Sequence, residues 1–182
     1  EAEESLQNND AESSGLIRID SATPFVLHVI VPLIDEFMQR YPKIDIEITN
    51  HDQIIDLLEH KTDVAIRFGE LADSSLHAKL LCKSRLYIVA SPDYLALKGT
   101  PTQPEELEQH DLIGFTRPTY INSWPIKVGD EYFFAQSQIK ASSGETVRQL
   151  TIRGHGIARL SEFEIWKDME EPEWANVQYE NT

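Results

Sequence analysis

The chain has 182 residues, 41% of them hydrophobic, which is enough to bury a core in one domain or two small lobes and excludes disorder throughout. Its 31 acidic and 16 basic residues leave a net charge of -15, a sign that repels a phosphate backbone, so the chain by itself is not a reader of DNA or RNA. No apolar run approaches the ~18 residues that span a bilayer, and the single Cys82 cannot close an internal disulfide.

The charge is concentrated at the ends. Residues 1–14 carry five acids and no base, and residues 162–182 carry seven acids and one Lys, so the body is only mildly acidic. Glu1-Ala2-Glu3-Glu4 is the opposite of a signal peptide. Together with the lack of a disulfide framework this points to the cytoplasm. The sequence begins without Met and reads as a fragment, with residues 1–14, too polar to fold alone, as the end of a linker.

Gly15 opens an apolar strand, Leu16 to Ile19, that runs through Asp20-Ser21-Ala22 into a helix. Thr23 is placed as its N-cap and Pro24 at its first position. Val26, Val29, Ile30, Leu33, Ile34 and Phe37 recur at three- and four-residue steps, the mark of one buried helical face. Pro32 either kinks this helix by removing the bond to His28 or begins a second helical piece. Tyr41-Pro42 ends it. Ile44, Ile46 and Ile48 alternate with polar residues, a strand with one polar face suited to a sheet edge. Asn50 and Gln53 have capping-box spacing before a short helix, and Asp63 to Gly69 reads as a third strand. Strand, helix, strand, helix, strand over 15–69 implies a parallel sheet with ligands beyond its C-terminal strand ends.

Ala78 to Leu81 and Leu86 to Ala90 read as two more strands, and Ser91 caps the helix that starts at Pro92. A further helix begins at Pro104 with acids in its first turn, and Leu112 to Phe115 is a strand. Trp124 to Val128 and Tyr132 to Ala135 flank a Gly129-Asp130 hairpin turn. After a strand from Gln138 to Ala141, Ser142 and Glu145 have capping-box spacing for a helix that Gly154 can close, and Ile157 to Leu160 is the last strand.

These segments carry a resemblance. Gly15-Leu16-Ile17-Arg18-Ile19, Arg40-Tyr41-Pro42, Asp63 to Gly69, Ala90-Ser91-Pro92-Asp93-Tyr94-Leu95 and Gly154-His155-Gly156-Ile157-Ala158-Arg159-Leu160, in this order and spacing over residues 15–167, resemble the effector-binding domain of LysR-type transcriptional regulators. The resemblance implies an α/β fold of two Rossmann-like, periplasmic-binding-protein-like lobes joined by crossover strands, with a small effector in the cleft between them. It places lobe I over 15–80, lobe II over 81–160, and an incomplete return segment over 161–182, where the family continues through further strands and a final helix. It implies a homodimer or tetramer, built from the first helix and the strand Ile44 to Ile48 against the helix Glu145 to Arg153 of a second copy. DNA is contacted through an N-terminal helix-turn-helix not contained here, with RNA polymerase as a candidate partner. The effector positions that it maps are Ser21, Ala22, Thr23, Thr49, Asn50, Arg67 and Phe68 from lobe I, and Phe115, Thr116, Ser142, Ser143 and Gly144 from lobe II.

The residues themselves argue against catalysis. There is no nucleophile elbow and no phosphate-binding glycine loop. The six His show no ligand spacing and one Cys cannot complete a thiolate zinc site, so neither cofactor nor metal is expected. His155 is assigned to the surface, and Cys82, in an apolar stretch, to a buried, inert position. Arg67 lies among Val64, Ala65, Ile66 and Phe68, where a guanidinium needs an anion or open water. The candidates are Asp20, Asp63 or an acidic effector. The hydroxyls of Ser21, Thr23, Ser142 and Ser143 serve as caps or as ligand contacts, two compatible uses. The expected function is the sensing of a small acidic or aromatic metabolite; the alternative is a solute-binding receptor of a transport system.

Overall fold

The computed structural model describes residues 13–50, 61–69, 77–166 and 175–177; the helix expected after Asn50, with its Gln53 cap partner, lies outside them. The chain divides into two compact units, Glu1–Ala78 and Lys79–Thr182.

The first unit holds a parallel sheet of β1 (Ser14–Ser21), β2 (Lys43–Asn50) and β3 (Val64–Ala65), in the order β2-β1-β3. Its parallel pairing is that read from the sequence. The strand β2, with its polar face, stands at an end of this order, and its Glu47 meets Arg18 of β1 at 3.3 Å. The strand β3 is shorter than the expected Asp63 to Gly69. Beyond Ala65 the chain donates one more ladder bond, Ile66 N to Asp20 O at 2.9 Å, before Arg67 turns to an ion pair.

From β1 the chain enters α1 (Thr23–Phe25), a wide π-helical turn (Val26–Ile30) and α2 (Val31–Arg40). The N-cap is Ala22, in extended conformation, and its carbonyl accepts the Phe25 and Val26 amides, so Thr23 is the first helical residue and does not cap. Pro32 explains the wide turn. Proline has no N–H to give His28, and the bond from Val31 N to Val26 O shifts the ladder so that the missing donor falls in the first turn of α2, where it has no bond to lose. Tyr41, at φ -126° and ψ 68°, ends α2 before Pro42 as expected.

The second unit is built on a five-stranded sheet, in the order β10-β4-β9-β5-β8. Its strands are β4 (Leu86–Ala90), β5 (Leu112–Phe115), β8 (Ile139–Ala141), β9 (Ile157–Ser161) and β10 (Ala175–Asn176). Strands β5, β8 and β9 are parallel, β4 is antiparallel to β9, and β10 is antiparallel to β4. Alternation along β9 splits the core. Ile157 joins Ile88, Leu112 and the hairpin residues Trp124 and Phe133, whereas Ala158 and Leu160 join Val89, Ile113 and Val147 on the other face. The hairpin strands β6 (Ser123–Val128) and β7 (Glu131–Phe134) turn at Gly129, whose φ of 65° suits a residue without Cβ.

Helix α3 (Pro92–Lys98) is capped by Ser91, whose Oγ accepts Tyr94 N at 3.2 Å. Helix α4 (Gly144–Ile152) lays Val147 on the sheet and ends as Gly154 turns to φ 77°, with His155 N bonded back to Leu150 O. A short α5 (Glu162–Ile165) follows β9, where the sequence shows little pattern. The strand expected over Ala78 to Leu81 is absent. Those residues pair with no strand among the described residues, Leu80 and Leu81 are 75% and 66% exposed, and Cys82 is exposed and not buried.

Candidate functional site

In the first unit the parallel register brings one set of expected residues together, pairing Asp20 with Thr49 and Ala65, and Ser21 with Asn50. The centre of this edge is Asp20, fully buried, which accepts Thr49 Oγ1 at 2.7 Å on one carboxylate oxygen and Arg67 Nη2 at 2.5 Å on the other. Arg67 Nη1 also reaches the Ile66 and Asp20 carbonyls at 3.2 and 3.4 Å. Asp63 is engaged elsewhere, accepting Arg18 N at 2.8 Å. Of the two carboxylates considered for Arg67, Asp20 is the one it pairs with. Its guanidinium is therefore part of the scaffold that ties the ends of β1, β2 and β3. Ser21 is buried and gives its Oγ to Ile66 O at 3.3 Å. Asn50 is exposed, and the exposed Phe68 lies against Phe25 at 5.5 Å between ring centroids.

The second unit assembles the other set. Phe115 pairs with Ala141, and Thr116 N donates to Ala141 O at 2.9 Å, which sets Phe115 and Thr116 beside the turn Ser142-Ser143-Gly144. The buried Asn122 fixes this edge by clamping Phe115 on both sides, its Oδ1 accepting Phe115 N at 2.8 Å and its Nδ2 donating to Phe115 O at 2.9 Å. Gly114 is required here, since a Cβ would stand 2.4 Å from Ser137 Oγ and 2.7 Å from Asn122 Oδ1.

The expected capping box of Ser142 and Glu145 does not form. Ser143 is the N-cap residue of α4, while the Glu145 carboxylate turns along the helix to Arg148 at 3.1 Å and Gln149 at 2.9 Å. Ser142 is exposed and Gly144 buried. Ser143 Oγ is buried with no hydrogen-bond partner among the described residues, an uncommon state for a hydroxyl at the amide-rich end of a helix.

Two residues of this edge escape the sequence reading. Asn122 gives no local signal, because its role depends on a strand seven residues earlier. Arg159 gives one: it interrupts the buried run Ile157, Ala158, Leu160 as Arg67 interrupts its own strand. Its Nε is buried without a partner among the described residues. Burial pushes its pKa below the ordinary arginine value, opposed by the charges of Glu164 and Tyr120. Among the described residues no group of three or more His, Cys, Asp or Glu could hold a metal ion, and no helix is long and apolar enough to cross a membrane.

The architecture is of the class with two α/β, periplasmic-binding-protein-like lobes. Residues 10–180 match the model of the LysR substrate binding domain, and the chain belongs to that family. It is 44% identical over 159 residues to the HTH-type transcriptional regulator CrgA of Neisseria meningitidis serogroup C (strain 8013), covering 86% of this chain and 53% of that protein. The solved regulatory domain of CrgA from Neisseria meningitidis superposes with a TM-score of 0.86 at 40% identity, over 91% of this chain and 81% of that one. Full-length AphB, a virulence activator of Vibrio cholerae, does so with a TM-score of 0.76 at 28% identity, over 97% of this chain and 60% of that one. The chain thus spans about half the length of that curated regulator.

Proposed function

We propose that this chain senses a small acidic or aromatic metabolite on behalf of a cytoplasmic regulator that meets DNA through a helix-turn-helix domain, and that it catalyses no reaction. The polar residues ending the parallel strands, Ser21 to Thr23, Thr49 and Asn50 in one unit and Phe115, Thr116 and Ser142 to Gly144 in the other, are the proposed contacts. The relatives are transcriptional regulators, which favours this reading over a transport receptor. Phe68 serves as an apolar wall, and Arg67 acts through the Asp20 network, without direct contact to the effector.

One observation carries the proposal: the orphaned hydroxyl of Ser143. It stands where α4 begins, at the C-terminal edge of parallel strands, where unpaired amides and open space favour a polar ligand. The test is a thermal-shift screen of small metabolites, followed by calorimetry of any compound that raises the melting temperature. Ser143→Ala should weaken its binding about 5-fold, the worth of one neutral hydrogen bond. Unchanged affinity removes Ser143 from the site, and a screen in which no metabolite binds removes the sensing function.

A further inference from the structure

We infer that Arg159 is the anion-reading residue of this domain and holds a carboxylate of the effector at the C-terminal edge of β9, an assignment that rests on the effector-binding reading above.

Arg159 is half-buried, with its Nε fully covered, a position unusual for a charge. Strands β5, β8 and β9 run parallel and end at one edge. Arg159 stands two residues before the end of β9, paired with Ile88 of β4 on one side. On the other side it lies one residue beyond the Ile113–Ala158 pair, the last of the β5–β9 ladder, and so level with Gly114. Its chain neighbours Ala158 and Leu160 are buried. A guanidinium is retained in such a place only where something recovers the cost of withdrawing it from water.

Arg67 meets that cost with Asp20. Arg159 has no equivalent partner: its Nε–H is buried and donates to nothing among the described residues. Glu164, the nearby carboxylate, favours the charged guanidinium through its charge, while its Oε2 accepts Ser161 N at 2.7 Å in the cap of α5. The guanidinium stays charged at neutral pH despite its burial.

An Nε–H and an Nη–H side by side form the fork that a carboxylate accepts with both oxygens, whereas a neutral amide offers one acceptor and a donor that clashes with the fork. This selects a carboxylate over its neutral isostere. Arg159, and not Arg67, is then the residue that reads the charge of the effector.

The experiment uses the chain labelled with 15N-arginine, whose Nε–H signals are resolved by NMR and assigned through Arg159→Lys and Arg67→Lys. Acetate, propionate, benzoate, succinate and inorganic phosphate are titrated beside acetamide, propionamide and benzamide. The expected result is saturable movement of the Arg159 signal with at least one carboxylate and with no amide, a still Arg67 signal, and at least a 10-fold loss of that affinity in Arg159→Gln. Arg159→Lys, which keeps the charge, should lose less and shows that the loss is not one of folding. Carboxylate binding that survives Arg159→Gln overturns the inference, as does binding confined to the amides or to phosphate, or no binding by any of these probes. The sensing function then still stands if the metabolite screen yields a ligand, and falls with the inference only if that screen yields none.

Discussion

Asp20 concentrates the local energetics of the first unit. It is fully buried and its partner Arg67 is 16% exposed at the side chain, so the pair is shielded from the solvent screening that makes most surface ion pairs nearly neutral. Removing one partner leaves a buried charge alone, and Asp20→Ala should cost about 3–5 kcal/mol in urea unfolding. The double variant Asp20→Ala, Arg67→Met should recover part of that loss, because it also removes the stranded cation. Additive losses would show that the two side chains are not energetically coupled. The sequence already required an anion for Arg67 and named Asp20 among the candidates. By the same rule Arg159 also needed one, but whether a charge in an apolar run finds its counterion depends on which strand lies beside it. Asp20 lies on β1, which pairs with β3 next to Arg67, whereas Arg159 lies on β9 with Ile88 of β4 and Gly114 of β5 beside it, and the carboxylate that acts on it, Glu164, comes from α5. That difference is set by long-range pairing, which no local spacing records. Tyr94 offers a pH readout. Burial raises its pKa, with Asp111 acting in both directions through a bond from its amide at 2.8 Å and its negative charge. A phenol that ionises later in the folded chain than in the unfolded one contributes stability below the unfolded value, about pH 10, and loses it as the pH rises through the folded value. Stability should therefore fall above about pH 10, and less steeply in Tyr94→Phe; equal slopes in urea titrations of both proteins would refute the assignment.

Most elements were readable from periodicity, and their ends were not. The two helices that begin at the candidate edges both start one residue away from the expected cap: Ala22 takes the place expected of Thr23, and Ser143 that of Ser142. In each case the backbone carbonyl of the extended residue closes the first turn, and the hydroxyl beside it does not decide the register. The run Ala78 to Leu81 failed differently: four residues of strand-like composition form a strand only if another strand is within reach. The edge formed by β5 and the following 3-10 turn, Thr119–Asn122, depends instead on a missing side chain. Gly114→Ala would push a methyl into the space of Ser137 Oγ and Asn122 Oδ1, displacing the carboxamide that holds Phe115. The expected cost is about 1–3 kcal/mol, the range for an added methylene in a filled core. The Phe115 amide resonance should move with it, and a variant with native stability and an unmoved Phe115 amide would show that Asn122 can yield without loss.

For the molecule as a whole, the surface of α2 is the feature left without an account by the folded chain. Its ten residues include none that is buried, and Val31 and Leu33 are 51% and 57% exposed, with Leu27 of the preceding turn at 44%. The sequence expected one buried face here, with Leu33 on it, whereas no residue of α2 is buried. Apolar side chains gathered on one exposed helix are the usual sign of a covered surface, and the strand β2 stands at the end of its sheet order among the described residues. A homodimer formed through this helix and strand, which the family resemblance implies, would cover both. A net charge of -15 opposes association of two copies, so the contact must be apolar enough to overcome it and should tighten as salt screens the repulsion. Static light scattering at tens of micromolar should give twice the monomer mass, with the dimer persisting or strengthening from 50 to 500 mM NaCl. Val31→Asp, Leu33→Asp should give the monomer mass with an unchanged circular dichroism spectrum, because neither side chain is part of a core. A monomeric parent chain, or a dimer indifferent to both substitutions, would place the interface elsewhere.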